Sequence, residues 1–148
     1  MSLPRLSPLA FLAFLALAVL AAPAVAGESD DASFAVEVIV ADRNGQGIDG
    51  ELGALSDRLR SQFPQFSRFR RSATHAFRVA EGDAHRFSVP SGSQFELTYL
   101  GEESEGVRVR IAVRGGASTV VLPRGGMIFV GGPTAGDGTL IFAILARP

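Results

Sequence analysis

The sequence predicts a mainly β protein, an antiparallel β-sandwich or partly open barrel of about eight or nine strands with one amphipathic helix. Three observations support this fold class. Short apolar runs rich in β-branched and aromatic residues recur from residue 34 onward, breaks containing Gly or Pro separate them, and a single stretch shows helical periodicity. Strands do not alternate with helices, as they would around a parallel sheet. We therefore expect a single β-rich domain over residues 34–148.

The first 26 residues have the pattern of a secretory signal peptide. Arg5 provides the positive start, residues 9–22 form an apolar run, and Ala24-Val25-Ala26 is a small-residue cleavage site. An uncleaved membrane anchor is the alternative, but the apolar run is shorter than the about 20 residues that a span needs. No Cys follows the cleavage site, so a lipoprotein is not indicated. We expect export to the periplasm or the exterior of a bacterium.

Composition sets bounds on the mature chain. Removing residues 1–26 from the 148 leaves 122, enough for one domain with its own hydrophobic core. Thirteen Arg then face 15 acids, and this net charge of −2 does not indicate a nucleic-acid partner. The sequence contains no Cys, which excludes disulfides, thiol catalysis and thiolate metal sites.

The first predicted strand covers residues 34–41, after a short acidic lead at residues 27–33. Apolar residues occupy its even positions, which we expect to point into the core. The Gly-rich loop that follows, residues 42–50, resembles the start of an EF-hand. Its twelfth position is Gly53 instead of the Glu that binds calcium, so we predict a solvated turn and no metal site.

One helix is predicted at residues 50–63. Its apolar positions recur at spacings of three and four and form one stripe of Leu52, Leu55, Leu59 and Phe63. We expect Asp49 to cap the first turn and Pro64 to end the helix. A single amphipathic helix beside a sheet buries such a stripe, so we interpret it as a core face and not as a ligand groove.

A hairpin is predicted where residues 74–80 and 84–89 flank a Glu-Gly-Asp turn, after an irregular strand or turn at residues 66–73. The simplest register gives the opposite pairs Phe77–Phe87, Arg78–Arg86 and Val79–His85. Residues 95–99 then pair back onto the second strand. This places Leu97 beside Phe87 and Tyr99 beside His85.

The C-terminal third carries the most apolar segments of the mature chain. Four runs, separated by Gly-rich breaks, predict adjacent antiparallel strands at residues 107–113, 119–122, 127–130 and 139–146. The last run is apolar on both of its faces. A strand of that kind needs cover above and below, so we expect it to lie centrally in the fold.

Arginine residues give the candidate binding site. They are Arg68, Arg70, Arg78, Arg86, Arg108 and Arg110. Arg78 opposite Arg86 would place like charges together, which is unfavourable unless acids such as Glu96 or a bound anion neutralise them. We interpret the set as an exposed face for an anionic envelope component, such as lipopolysaccharide headgroups, or for an acidic protein patch. A solvated face of Arg–Glu pairs is the alternative.

The His, Ser and acidic residues do not form a recognisable catalytic or metal-binding pattern. His75 and His85 lie in phase with core Phe and Val residues but several residue pairs apart, so we predict packed side chains and no shared metal ion. His85 beside Tyr99 would form a stacked or hydrogen-bonded pair. The sequence has no nucleophile elbow, and its acids fall in loops and turns. We therefore predict no catalytic residues, no metal and no cofactor.

Residues 119–133 read Thr-Val-Val-Leu-Pro-Arg-Gly-Gly-Met-Ile-Phe-Val-Gly-Gly-Pro. This stretch resembles the strand, Gly turn and strand ending in Gly-Gly of the β-domain of secretins, the outer-membrane secretion channels. The length and N-terminal ring domains of a secretin are absent, so the resemblance implies at most an accessory or derived domain. The order of elements in the whole chain is also similar to that of small secreted bacterial proteins of unknown function, which implies a location and no activity.

Three functions are compatible with these sequence features. The first is a non-enzymatic structural or interaction module of the bacterial envelope, which contacts a protein or an anionic component through a sheet edge or the Arg face. The second is a sandwich that binds a small or lipidic molecule between helix and sheet. The third is a hydrolase, which would need His75 or His85 beside an acid and a Ser. We favour the first; oligomeric state stays open.

Overall fold

The structure is a computed structural model that describes residues 31–147, so the predicted signal peptide, residues 27–30 and Pro148 lie outside the described residues. Nine strands and one helical segment make up most of the described chain, which confirms the predicted fold class. The strands are β1 Asp31–Asp42, β2 Gly47–Ile48, β3 Arg68–Ala80, β4 Ala84–Ser88, β5 Gln94–Glu103, β6 Gly106–Val113, β7 Gly116–Leu122, β8 Met127–Ala135 and β9 Gly138–Ala146. β1 begins at Asp31, so part of the predicted acidic lead belongs to the first strand.

The strands form two sheets. The five-stranded sheet has the order β2-β3-β1-β9-β8, and the four-stranded sheet has the order β4-β5-β6-β7. Neighbouring strands are antiparallel except for the short β2, which runs parallel to β3. β9 lies between β1 and β8 and is buried on both faces, so the prediction of a central last strand is confirmed.

The main core fills the space between the sheets. The even positions of β1, from Phe34 to Val40, point into it, as their alternation predicted. They meet side chains of the four-stranded sheet such as Leu97 and Val109, and Phe142 of β9 packs against Phe95 with ring centroids 4.8 Å apart. The opposite face of β1 and β9 is also apolar, so the five-stranded sheet needs a second cover.

The helical segment provides that second cover. It consists of a 3₁₀ helix, Gly50–Leu55, followed by α1, Ser56–Gln62. Leu52 and Leu59 are fully buried against Ile141 and the outer face of the sheet, which confirms the predicted apolar stripe. The predicted Asp49 cap is wrong. Its carboxylate makes no capping hydrogen bond and accepts the backbone N–H of Arg71 instead, at 3.0 Å.

The predicted hairpin of β3 and β4 is wrong, because the two strands belong to different sheets. β3 runs unbroken through the stretch predicted as irregular and pairs with β1 along its whole length, with Phe77 opposite Phe34. A 12-residue partner offers more backbone hydrogen bonds than the five-residue β4. The turn at Gly82 (φ 89°) is therefore a corner between sheets. Phe77 and His85 face each other across it, with ring centroids 4.1 Å apart.

The pairing of β4 with β5 is confirmed, but its predicted register is wrong by two residues. His85 lies opposite Leu97, and Phe87 lies opposite Phe95. The reason is a tight connection, in which the N–H of Val89 donates to the carbonyl of Ser93. Tyr99 consequently lies beside Phe34, with ring centroids 6.0 Å apart, and not beside His85.

A second corner separates β7 from β8. β6 pairs with β7 and β8 pairs with β9, but the chain changes sheets between Leu122 and Met127, so the four C-terminal strands are not all neighbours as predicted. The turn contains Pro123 and Gly125 (φ 73°), and the N–H of Gly125 donates to the carbonyl of Ala146. None of the helices among residues 31–147 is long and apolar enough to cross a membrane.

Candidate interaction surface

The six predicted Arg residues are exposed, but they do not share one face. Arg68, Arg70 and Arg78 lie on β3 in the five-stranded sheet, and Arg86, Arg108 and Arg110 lie on β4 and β6 in the other sheet. The predicted Arg78–Arg86 pair is wrong for the same reason as the hairpin. Arg86 lies opposite Glu96, and the two form an ion pair. The like-charge contact therefore does not occur.

Acids engage half of the Arg set. Besides Arg86, Arg70 pairs with Asp42 (3.5 Å) and Arg108 pairs with Glu103 (3.7 Å). Exposed pairs of this kind contribute little to stability, about 0–1 kcal/mol each. Arg68, Arg78 and Arg110 form no ion pair with any residue of the described chain. The charge that is available to a partner is thus dispersed over the two sheets.

The two His residues lie at the seam where β3 of one sheet crosses β4 of the other. His75 stacks on Phe87 with ring centroids 3.7 Å apart, and His85 stacks on Phe77. Burial lowers the pKa of His75, and the nearby His85 lowers it further. Within residues 31–147 neither ring has the carboxylate hydrogen bond that a Ser–His–Asp set uses to orient its base.

Four strands, β3, β4, β7 and β8, have an edge that no long strand covers, and these edges differ in whether other features block them. The edge of β3 is blocked at one end by β2, which pairs with its residues Arg68 and Phe69. Beyond that point, the carboxylate of Asp49 accepts a hydrogen bond from the backbone N–H of Arg71. A β-bulge in the pairing of β3 with β1 also shifts the register between Val38 and Ile39. Short covering strands, charges and bulges of this kind are what natural sheets use to prevent edge-to-edge association.

The edges of β4 and β8 are blocked in other ways. β4 is five residues long, carries Arg86, and lies against the rings of β3. On β8, the carbonyl of Met127 accepts the guanidinium of Arg58 at 3.0 Å, and Pro133 has no N–H to donate. The register of β8 also shifts between Gly131 and Thr134. Neither strand offers a continuous row of free backbone groups.

β7 has none of these features. Its seven residues, Gly-Ala-Ser-Thr-Val-Val-Leu, include no charge and no Pro, and they pair with β6 without a register shift. The other side of β7 makes no backbone or side-chain hydrogen bond with the rest of the described chain. Val121 on this strand is 41 % exposed. β7 is therefore an open, uncharged sheet edge.

A cleft of about 370 Å³ lies beside this edge, between β7 and β8. The exposure of the inward side chains of β7 increases along the strand: Leu122 is buried, Val120 is half-buried and Ser118 is exposed. The two sheets therefore diverge from the Pro123 corner toward the β6–β7 turn. Side chains of Ile111, Val113 and Val130 give the cleft apolar walls.

Gly132 forms part of the opposite wall and fits closely against the core. A Cβ atom on this residue would lie 2.6 Å from a ring carbon of Phe142, so only Gly allows the backbone to approach the ring. The sequence pattern predicts a turn between strands at Gly131 and Gly132, which is wrong: both residues lie within β8 and form part of the wall of the cleft.

Sequence reasoning did not identify β7 as a candidate site. The usable signal was the uncharged run from Gly115 to Leu122 together with Ser118 at an inward position of an otherwise apolar alternation. A polar residue in the core phase indicates a position without cover. Whether a strand covers the second side of β7 could not be inferred from the sequence, because that depends on the order of strands in the sheet.

No group of three or more potential metal-binding side chains occurs within residues 31–147. Comparison of the sequence with models of known protein families, with curated proteins and with solved structures finds no match in any of the three.

Proposed function

We propose that the protein is an exported, non-enzymatic interaction module of the bacterial cell envelope, which binds a partner protein by strand addition to β7. The proposal rests on one observation, the difference between β7 and the other three free edges. A sheet edge without charges, Pro or bulges pairs readily with an extended segment, and folded proteins normally avoid exposing one. The signal-peptide pattern of residues 1–26 supports the location in the envelope.

Strand addition uses the backbone for affinity and side chains for selectivity. Each new backbone hydrogen bond contributes about 0.5–1.5 kcal/mol. On β7, alternate side chains of the added segment would enter the cleft against Val130 and Ile111. Burial of these apolar side chains adds about 25 cal/mol per Å² removed from water. An open edge next to a cleft with apolar side chains on its walls therefore supports peptide binding better than either feature alone.

The decisive variant is Ser118→Lys, which places an inward charge on the open edge. Ser118 is exposed, so the substitution leaves the core intact, and an inward-facing Lys is a device that natural edge strands use to block pairing. We expect the wild-type protein to recover a partner protein from envelope extract, with slowed amide exchange across β7, and Ser118→Lys to lose both effects.

The matched control is Thr74→Lys, which makes the same charge change at an exposed position of β3, in the other sheet. This variant should still recover the partner. Thermal unfolding of both variants establishes that they fold. A partner that Ser118→Lys retains, or slowed exchange on a strand other than β7, would contradict strand addition.

A second candidate is the binding of a small or lipidic molecule. The sequence-based hypothesis placed the ligand between helix and sheet, but Leu52, Leu59 and Ile141 fill that space. The cleft beside β7 favours this function instead, because its volume of about 370 Å³ falls within the range of small-ligand pockets. Mass spectrometry of the lipid and metabolite fraction in the same experiment tests it, and a bound molecule unaffected by Ser118→Lys would favour it.

A further inference from the structure

β7 presents two chemically different faces to a segment bound along its open edge. Of its inward positions, Ser118 borders the cleft together with Val130, and Val120 packs against the main core. Its outward positions carry small or uncharged side chains, and the next strand on that face, β6, carries Arg108 and Arg110. The inward face therefore favours apolar side chains on a bound segment, and the outward face favours polar or charged ones.

Arg110 lacks a compensating acid in this sheet. Its neighbours across the strands are Thr98 on β5 and Thr119 on β7, and its guanidinium forms no ion pair or hydrogen bond within residues 31–147. Glu96 lies on the same face but is engaged by Arg86. Arg108, two residues earlier on the same face of β6, already forms an ion pair with Glu103.

A segment added to β7 comes within reach of Arg110. Neighbouring strands lie about 4.8 Å apart, so the new strand would lie about 10 Å from β6, across the small side chain of Thr119. An Arg and a Glu side chain together bridge that distance. Arg114, which lines the cleft, adds a second exposed cation that forms no ion pair within residues 31–147. Both charges favour an acidic side chain on the outward face of the segment.

We infer that the segment bound by β7 is an extended peptide of a partner protein in which apolar residues alternate with acidic residues. This inference rests on the proposed function. The apolar side chains occupy the cleft, and the acidic ones pair with Arg110 and Arg114. A second copy of this chain fits less well, since β7 against β7 would bring a second Arg110 to the same face, where Glu96 and Glu103 are already paired with Arg86 and Arg108.

The test uses protein purified from cells that express the full chain, and three fluorescently labelled heptapeptides. They alternate Val with Glu, Val with Ser, or Val with Lys, and their affinities are measured by fluorescence anisotropy. We expect the Val–Glu peptide to bind about fivefold more tightly than the Val–Ser peptide, which corresponds to one partly exposed ion pair. The Val–Lys peptide should bind most weakly, and added salt should reduce the preference for Glu.

Two variants assign the preference to one side chain. Arg110→Gln should remove the difference between the Val–Glu and Val–Ser peptides while leaving the affinity for Val–Ser unchanged. Arg108→Gln is the matched control on the same strand, and it should keep the wild-type preference because Glu103 already holds Arg108. Both residues are exposed, so the fold tolerates either change.

The outcomes separate this inference from the function on which it rests. Equal affinities for the Val–Glu and Val–Ser peptides, both lost in Ser118→Lys, would overturn the acidic pattern and leave strand addition standing. Failure of the wild type to bind any of the three peptides would also overturn it, while the pull-down with Ser118→Lys would still decide the proposed function. A dimer that depends on β7 and not on Arg110, seen by sedimentation velocity, would overturn it in favour of a second copy.

Discussion

Gly106 shows how closely single residues constrain this fold. It begins β6 after the β5–β6 turn and is buried against the end of β7. A Cβ atom on Gly106 would lie 1.9 Å from the carbonyl oxygen of Leu122 and 2.9 Å from Cα of Pro123. Both neighbours are backbone atoms in paired or turning segments, so they cannot move aside without loss of hydrogen bonds.

We expect Gly106→Ala to lower the free energy of unfolding by at least about 1–3 kcal/mol, the usual cost of overpacking. Urea denaturation provides the measurement. Gly53→Ala is the matched control, because a Cβ there meets no atom within 4 Å and the residue lies in the helical segment. That variant should be neutral or stabilised by up to about 1 kcal/mol. Equal stabilities of Gly106→Ala and the wild type would show that the β7 corner is softer than its contacts indicate.

Residue-level prediction from the sequence succeeded where a local pattern decides the outcome. The inward positions of β1 and the stripe of Leu52, Leu55 and Leu59 follow from alternation and helical spacing alone. The cap at Asp49 failed because its carboxylate is taken by Arg71, 22 residues away in the chain. The Asp49 carboxylate binds a distant backbone N–H in preference to the N–H groups of the first helical turn, and no local sequence pattern predicts such a long-range contact.

The helical segment is an element that depends on its docking. α1 has only seven residues, and isolated helices shorter than about 12–15 residues are marginal in water. Its Leu59 is fully buried against Ile141 and Ala143 of β9. The segment is therefore held by side-chain burial and not by intrinsic helix propensity.

Leu59→Ala should cost about 2–5 kcal/mol of stability, because it leaves a cavity between helix and sheet. Hydrogen exchange should show the amides of residues 50–62 opening more readily, with a smaller effect on β9. Arg60→Ala, one residue further along and exposed, should change stability by less than about 0.5 kcal/mol. If the helix amides exchanged at wild-type rates in Leu59→Ala, another contact would have to hold the segment.

Strands could be located from the sequence, but their assignment to sheets could not. All four C-terminal runs became strands, three of them within three residues of their predicted bounds, whereas β8 extends five residues beyond its predicted end at residue 130. The chain changes sheet at Gly82 and at Pro123–Gly126, and both turns have the Gly-containing sequences of ordinary hairpins. The open edge of β7 exists only because of these changes. The candidate site could therefore not be predicted, because the sequence does not show whether a Gly-containing turn joins strands of one sheet or of two.

At the scale of the whole molecule, the seam between β3 and β4 is where the two sheets meet without backbone pairing. Stacked rings join them there, His75 on Phe87 and Phe77 on His85. Since burial and His85 lower the pKa of His75 below its ordinary value of 6.5, the folded protein binds its proton less tightly than the unfolded chain does. By linkage, the contribution of His75 to stability is fully present above about pH 6.5 and decreases as the pH falls below it.

We therefore expect the free energy of unfolding to decrease as the pH is lowered from about 7.5 to 5.5, a window that lies above the ordinary pKa values of Asp and Glu. His75→Phe keeps an aromatic ring on Phe87 and should flatten this dependence. His85→Phe, the companion variant, should reduce it less, because burial is the larger cause of the lowered pKa. A pH dependence that His75→Phe leaves unchanged would assign it to other groups.

The pairing of β1 with β9 has a consequence for the order in which the protein is made. The strands lie side by side in the five-stranded sheet, with Val36 opposite Ile144, yet roughly 100 residues separate them in the chain. The chain leaves the ribosome N-terminus first, at about 5–20 residues per second, and an exported chain also leaves the secretion channel in that order, so β1 emerges before β9 in either case. During that interval β1 can pair with β3 on one side only. The other side of this long apolar strand has no neighbour, so the emerging chain is most prone to wrong association just before its last strand appears.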